Sequence, residues 1–196
     1  MVLTSLLLEE SRAFIVAVDG ACRNNGRPGA RAALGVFFRD GSHWNRSEML
    51  PLRDTTSQRA VLCAALRALK TIDDFVAHEW QHSITEGQAL ERVIVKSDSD
   101  YLVQSMTEWI NKWLTNGFTN AKSKPIQNQD LIKELWQLIA RMDQQKNIKV
   151  LFWRVSGNTD ADRLANAALN ATQAPTWDYQ DPPAQLEANT HTSERV

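Results

Sequence analysis

The chain is poor in the residues that staple small scaffolds together. Among 196 residues only Cys22 and Cys63 are cysteines. They form neither a CxxC pair nor a Cys/His cluster, which argues against a structural zinc site. Two unpaired thiols suit an intracellular protein, cytoplasmic or nuclear. Long apolar runs are missing too. Leu6–Leu8 is short, lacks a basic start and is followed by Glu9 and Glu10, so neither a membrane span nor a secretory signal is expected. Charge of one sign is also missing: 22 basic against 23 acidic residues leave a net charge of −1. The whole chain is therefore no general polyanion binder, and any nucleic-acid site must be a local patch. Histidine is scarce, with none between His82 and His191.

What is present reads as one soluble α/β domain, with a core of ordinary size and a monomer expected. FIVAV (Phe14–Val18) is a continuous apolar run ending at Asp19, the pattern of a buried central strand. Ala32–Phe38 and His43–Leu50 predict two more strands, joined by a turn at Asp40-Gly41. Apolar spacing over Ser57–Ile72 predicts a helix capped by Thr55, Thr56 or Ser57. A polar stretch through Gly87 leads to a strand at Arg92–Val95. Helical spacing follows over Asp100–Leu114, broken by Gly117, then a Lys-rich loop and a helix over Gln129–Met142. A last strand (Ile148–Val155) and helix (Asp160–Ala171) complete the order. Residues 1–12 read as an N-terminal arm, 13–171 as the domain, and 172–196 as a disordered tail without apolar period. The sum is a five-stranded mixed sheet flanked by helices.

Three aspartates abut strand ends or a helix start: Asp19 in VAVDGACRNNG, Asp98 in VIVKSDSDYLV and Asp162 in GNTDADRLA. Singly, each has an ordinary reading as a turn, cap or surface residue. Jointly they suit a site for hard divalent cations, which prefer carboxylate oxygens.

Five stretches, in this order, resemble the type 1 ribonuclease H family, and in particular the eukaryotic ribonuclease H1 catalytic domain: DGACRNNGRPGARAALGVFF, TTSQRAVLCAALRAL, SDSDYLVQSMTEWINKWLTNGF, KPIQNQDLIKEL and GNTDADRLA. The resemblance covers roughly Ala13 to Leu169. It implies a ribonuclease H-like fold that hydrolyses the RNA strand of RNA/DNA hybrids with two Mg²⁺ (or Mn²⁺) ions. It assigns the metal-binding and catalytic carboxylates to Asp19, Asp98 and Asp162.

The resemblance also marks two departures. The family's fourth carboxylate, a Glu on the first helix, falls on Val61. The loop that should carry a product-releasing His is cut to Ser156-Gly157 ahead of Asn158. A missing charge-stabilising contact commonly costs 10²–10³-fold or more in rate. Asp100 and Asp160, each two residues from a site aspartate, face elsewhere if helical. The expected function is thus impaired hybrid cleavage; the alternative is a catalytically inactive module that binds hybrids or double-stranded nucleic acid. By the same resemblance, Cys22, Asn25 and Gln58 face a minor groove. There 2′-hydroxyls distinguish RNA from DNA. Thr56 and Asn128 hold a DNA-strand phosphate, with Arg53 or Asp54 a loose match for the family's nearby Arg. Trp113, Phe118, Lys122 and Lys124 line the DNA channel. Trp109, one helical turn before Trp113, stays open between channel and core.

Overall fold

The computed structural model describes residues 12–51, 55–77 and 90–171. The expected tail, nearly all of the expected arm, and the polar stretch over 78–89 lie outside the described residues, as do Arg53 and Asp54. Strands β1 (Ala13–Arg23), β2 (Arg31–Phe37) and β3 (Arg46–Met49) form an antiparallel meander. Strands β4 (Arg92–Ser97) and β5 (Lys149–Arg154) join it in parallel, giving the sheet order β3-β2-β1-β4-β5.

β1 runs past the expected end at Val18. Its pairing with β2 persists to Arg23↔Arg31, whereas β4 leaves it after Ala17↔Lys96. Asp19 is therefore inside a strand rather than at its end, hydrogen-bonded toward β2 and open on the β4 side. β3 is shorter than expected because the chain turns through Gly41, at φ 68°, and regains the sheet only at Arg46.

Helix α1 (Ser57–Phe75) starts at Thr56, whose hydroxyl accepts the Arg59 N–H at 3.2 Å. The helical stretch after Asp98 is one rod with a defect: α2 (Asp100–Gln104), a π-helical turn (Ser105–Trp109) and α3 (Ile110–Asn116). It stops at Gly117, whose φ of 71° suits glycine. Helices α4 (Gln129–Lys146) and α5 (Thr159–Asn170) complete the fold. No helix among the described residues is long and apolar enough to cross a membrane.

Side chains alternate across a strand, so Phe14, Val16, Val18 and Gly20 share one face of β1, and Ile15, Ala17 and Asp19 the other. The first face meets α1, with α4 behind it. There Phe14, Leu34, Leu62, Leu66, Leu69, Leu131 and Leu135 are sealed from solvent, each contributing about 1.5–3 kcal/mol relative to exposure. A paired Arg59–Asp130 contact and the Lys70–Glu134 bridge (2.7 Å) tie α1 to α4. Among the described elements, α5 covers the second face over β1, β2 and β3. On β5, Leu151 and Trp153 stay 49% and 55% exposed.

Candidate functional site

Two glycines bring the helices onto the sheet where Asp19 sits. A Cβ at Gly20 would collide with the backbone N of Val61, so α1 lies directly on β1 at this point. Gly35 is the register partner of Asp19, and a Cβ there would collide with the carbonyl of Ala161 in α5. Asn158 fixes the start of α5: its buried amide donates to the Val18 carbonyl at 2.8 Å, and its own carbonyl accepts the Asp162 N–H at 2.9 Å. This anchoring residue escaped the sequence reading. Its only signal was an asparagine at a helix start.

Asp19 is half-buried and its carboxyl accepts the Gly20 N–H at 2.7 Å. Burial pushes its pKa up to about 6. The Gly20 hydrogen bond works against this rise, and the charges of Asp98 and then Asp162 add to it. The two carboxylates that the sequence groups with Asp19 are thus the ones whose fields it feels. Asp98 follows β4 just before Ser99, whose hydroxyl caps α2 by accepting the Leu102 N–H. Asp162 stands in the first turn of α5, where its Oδ1 accepts the Asn166 amide at 2.8 Å. Asp100 is engaged by Arg154 at 2.6 Å, and Asp160 lies 3.7 Å from Arg163. Neither contributes to the rise at Asp19.

Val61 is 3% exposed and supplies no oxygen. Among the described residues, no three His, Cys, Asp or Glu side chains are closed up tightly enough to hold a metal ion as they stand. The donor set is nonetheless all hard oxygen, and like charges crowd around a half-buried carboxyl. Both features fit a divalent cation such as Mg²⁺ or Mn²⁺ rather than zinc.

The residues that the resemblance assigns to nucleic-acid binding, here called the rim, come from other elements. Asn25 and Ser57 hold each other: Ser57 N–H donates to Asn25 Oδ1 at 3.1 Å, and the Asn25 amide donates to the Ser57 hydroxyl at 3.2 Å. Thr56 and Gln58 flank Ser57 at the start of α1, both partly exposed. Cys22 donates to the Thr55 carbonyl at 3.6 Å, and burial raises its thiol pKa, so it stands as a neutral neighbour of this cluster.

Asn128 adopts a left-handed conformation (φ 56°) ahead of α4 and leaves that helix uncapped by its side chain. Its amide donates instead to the Tyr101 hydroxyl at 3.2 Å, and that hydroxyl donates to the Gln127 carbonyl. Tyr101 packs edge-on to Trp109 at 6.1 Å, and Trp109 to Trp113 at 5.7 Å. An aromatic chain therefore runs from Asn128 to Trp113, and Tyr101 is its unforeseen link. Trp109, left open between channel and core by the sequence, is 36% exposed and so is not core; Trp113 is the one packed partly against the core. Phe118 (φ 61°) lies beneath the Lys133 ammonium, 5.0 Å from its ring centre, so Trp109 carries the most open aromatic surface of the three. Lys112 on α3 and Lys122 and Lys124 in the loop after Gly117 are exposed, and Asn120 Oδ1 accepts the backbone N–H groups of Lys122 and Lys124.

The sequence matches the RNase H family over residues 11–170, and the chain belongs to that family. Within it the chain is of the type 1 kind. It is similar to Ribonuclease H1 of Mus musculus, 32% identical over 159 residues that make up 81% of this chain and 51% of the mouse protein. It is also similar to Ribonuclease H of Prochlorococcus marinus (strain NATL1A), 34% identical over 162 residues, 82% of this chain and 88% of the bacterial one. The chain spans about half the length of the mouse protein. Among solved structures it is similar to LC9-RNase H1, a type 1 RNase H with the type 2 active-site motif. That likeness has a TM-score of 0.50 at 27% identity, covering 79% of this chain and 71% of that one. The foamy viral protease-reverse transcriptase in complex with RNA/DNA hybrid shares the fold, with a TM-score of 0.55 at 22% identity. It covers 79% of this chain and 19% of the viral one.

Proposed function

We propose that the chain acts on RNA/DNA hybrids as a metal-dependent ribonuclease H whose cleavage is slowed by Val61. The observation that carries this reading is the electrostatic grouping at Asp19: a half-buried carboxyl with pKa about 6 that feels Asp98 and Asp162. Asp19, Asp98 and Asp162 would hold Mg²⁺ or Mn²⁺, two ions in the family's arrangement. Such a cation, when bound, makes water nucleophilic and stabilises the leaving oxygen. The chain's own residues do the positioning. Asn158 holds Asp162 over β1, Gly20 and Gly35 let α1 and α5 close on Asp19, and Ser99 fixes the turn after Asp98. Asn25 and Gln58 would read the minor groove. Thr56 and Asn128 would hold a DNA phosphate, and Trp113 with Lys122 and Lys124 would line the DNA strand. Phosphate contacts of this kind set register and make binding salt-dependent.

A specific observation favours a second reading. Val61, beside Gly20 and near the apex that the three aspartates would form, is buried and carries no carboxylate, and by the resemblance the loop before α5 is short. A chain with its rim kept and its apex short of one carboxylate would bind hybrids without cutting them. Cleavage of a labelled hybrid in Mg²⁺ and in Mn²⁺, beside Asp98→Asn, separates the two. Cleavage that vanishes in the variant supports the nuclease. Tight binding with no cleavage supports the binding module.

A further inference from the structure

Among the described residues, the sheet face beside the apex is open at β5. Phe37, Ala17, Lys96 and Trp153 lie in one register row across β2, β1, β4 and β5. All four side chains share the α5 face, on which Asp19 also stands. The row sits two residues behind Asp19 and Asp98, roughly 7 Å along the strands. Trp153 is 55% exposed, the most open large hydrophobic side chain among the described residues. The Lys96 ammonium lies 5.4 Å from its ring centre. Beside the row a cleft of about 350 Å³ runs between Phe37, Phe38, Lys96 and Gly157. At its rim, Asp160 has Arg163 3.7 Å away.

An exposed indole with a cation beside it suits a nucleobase and its phosphate. Bases stack on aromatic faces whatever their sequence, and a lysine meets the backbone. The rim residues come from the β1–β2 turn, α1, α3 and the approach to α4, and none of them from β5. A duplex seated there leaves this row to a strand with unpaired bases. We infer that Trp153 and Lys96 form a platform for single-stranded RNA, the unpaired flank of the RNA strand as it leaves the carboxylate apex. This inference rests on the hybrid-acting reading above. Continuity with the apex and the charge of Lys96 favour RNA over a protein partner on this face.

The test uses the full chain in EDTA, so that nothing is cut. Fluorescence anisotropy follows a labelled single-stranded oligoribonucleotide, a blunt RNA/DNA hybrid, and a hybrid whose RNA strand overhangs. Trp153→Ala should weaken single-strand binding roughly tenfold and remove the preference for the overhang; Trp153→Phe should restore most of both. Lys96→Gln should lower the salt slope by about 0.7. Lys149→Gln, which removes the same charge at the far end of β5, should change neither. Unchanged single-strand binding in Trp153→Ala, or an equal loss in Lys149→Gln, overturns the platform. So does loss of self-association in Trp153→Ala at unchanged RNA affinity, which assigns the face to a second copy. Failure of the blunt hybrid to bind, with Trp153-dependent single-strand binding intact, sinks the hybrid reading and leaves the platform standing.

Discussion

At the apex, three carboxylates arrive from β1, from the end of β4 and from the start of α5, and backbone contacts at Gly20, Gly35 and Asn158 fix where they stand. Along the rim, polar and aromatic side chains hold one another: Asn25 with Ser57, Asn128 with Tyr101, Trp109 with Trp113. The apex is few in parts, and each part has a separate origin. The rim is a set of overlapping contacts, each small. Removing one apex group should therefore cost far more in rate than removing one rim group costs in affinity.

The largest effect that follows is from Asp98→Asn. Cleavage of the hybrid should fall by at least about 10²–10³-fold, since a group acting on developing charge is lost. Hybrid affinity in EDTA should hold or rise slightly as a negative charge leaves the groove. A comparable fall in affinity would show that apex and rim are one unit, and the contrast drawn above would be wrong.

Next comes Val61→Glu, the repair of the apex. Glu at a position 3% exposed, with its backbone against Gly20, must bury a charge near three others. The variant should melt lower than the parent in EDTA, gain more on adding Mg²⁺, and cut faster by up to about 10²-fold. Thermal melts with and without metal, read beside single-turnover cleavage, check both halves. A variant with the larger metal response but no faster cleavage would place the defect in the shortened loop.

A rim test is smaller. Trp113→Ala should weaken hybrid binding about tenfold and lower cleavage only at subsaturating substrate, because an aromatic contact on the strand is lost while the apex stays intact. Titration against hybrid and double-stranded DNA would show the loss in both. A loss of rate at saturation would instead tie Trp113 to the apex.

The sequence already carried the element order, the Thr56 cap region, the stop at Gly117 and the three aspartates, since these follow from local periodicity, turn chemistry and motif spacing. It could not show that β1 runs on to Arg23, because that depends on which partner strand stays paired. The π-helical turn between Gln104 and Ile110 left no periodic trace. The sequence put Trp113 in the channel and left Trp109 open, and only the packing of the rod makes Trp109 the more exposed of the two. Asn158 and Tyr101 act through partners far along the chain, Val18 and Asn128, and spacing along one sequence does not encode such pairs. Gly20 and Gly35 were visible as glycines, but their role as points of close helix approach needed three dimensions.

The smallest effect sharpens the apex most directly. Asp19 has a pKa of about 6 in the folded chain against an ordinary 3.8, mainly through burial. A raised carboxyl pKa means that its ionised form opposes folding. That cost is absent below 3.8, where both states hold the proton, grows between 3.8 and about 6, and is complete above. Asp19→Asn removes the titration while keeping the shape, so in EDTA it should melt a few degrees above the parent at neutral pH. The difference should vanish under acid. Because the effect is a difference between two otherwise identical chains, the other carboxylates cancel. Adding Mg²⁺ should reverse the order at neutral pH, since only the parent can ligate through this position. With Mg²⁺ bound, the same carboxyl should give up its proton more readily, so cleavage by the parent should fall only at a pH below about 6. Equal melting points at neutral pH would mean that Asp19 is well solvated and does not feel Asp98 and Asp162, and the apex would then be three separate aspartates rather than one site.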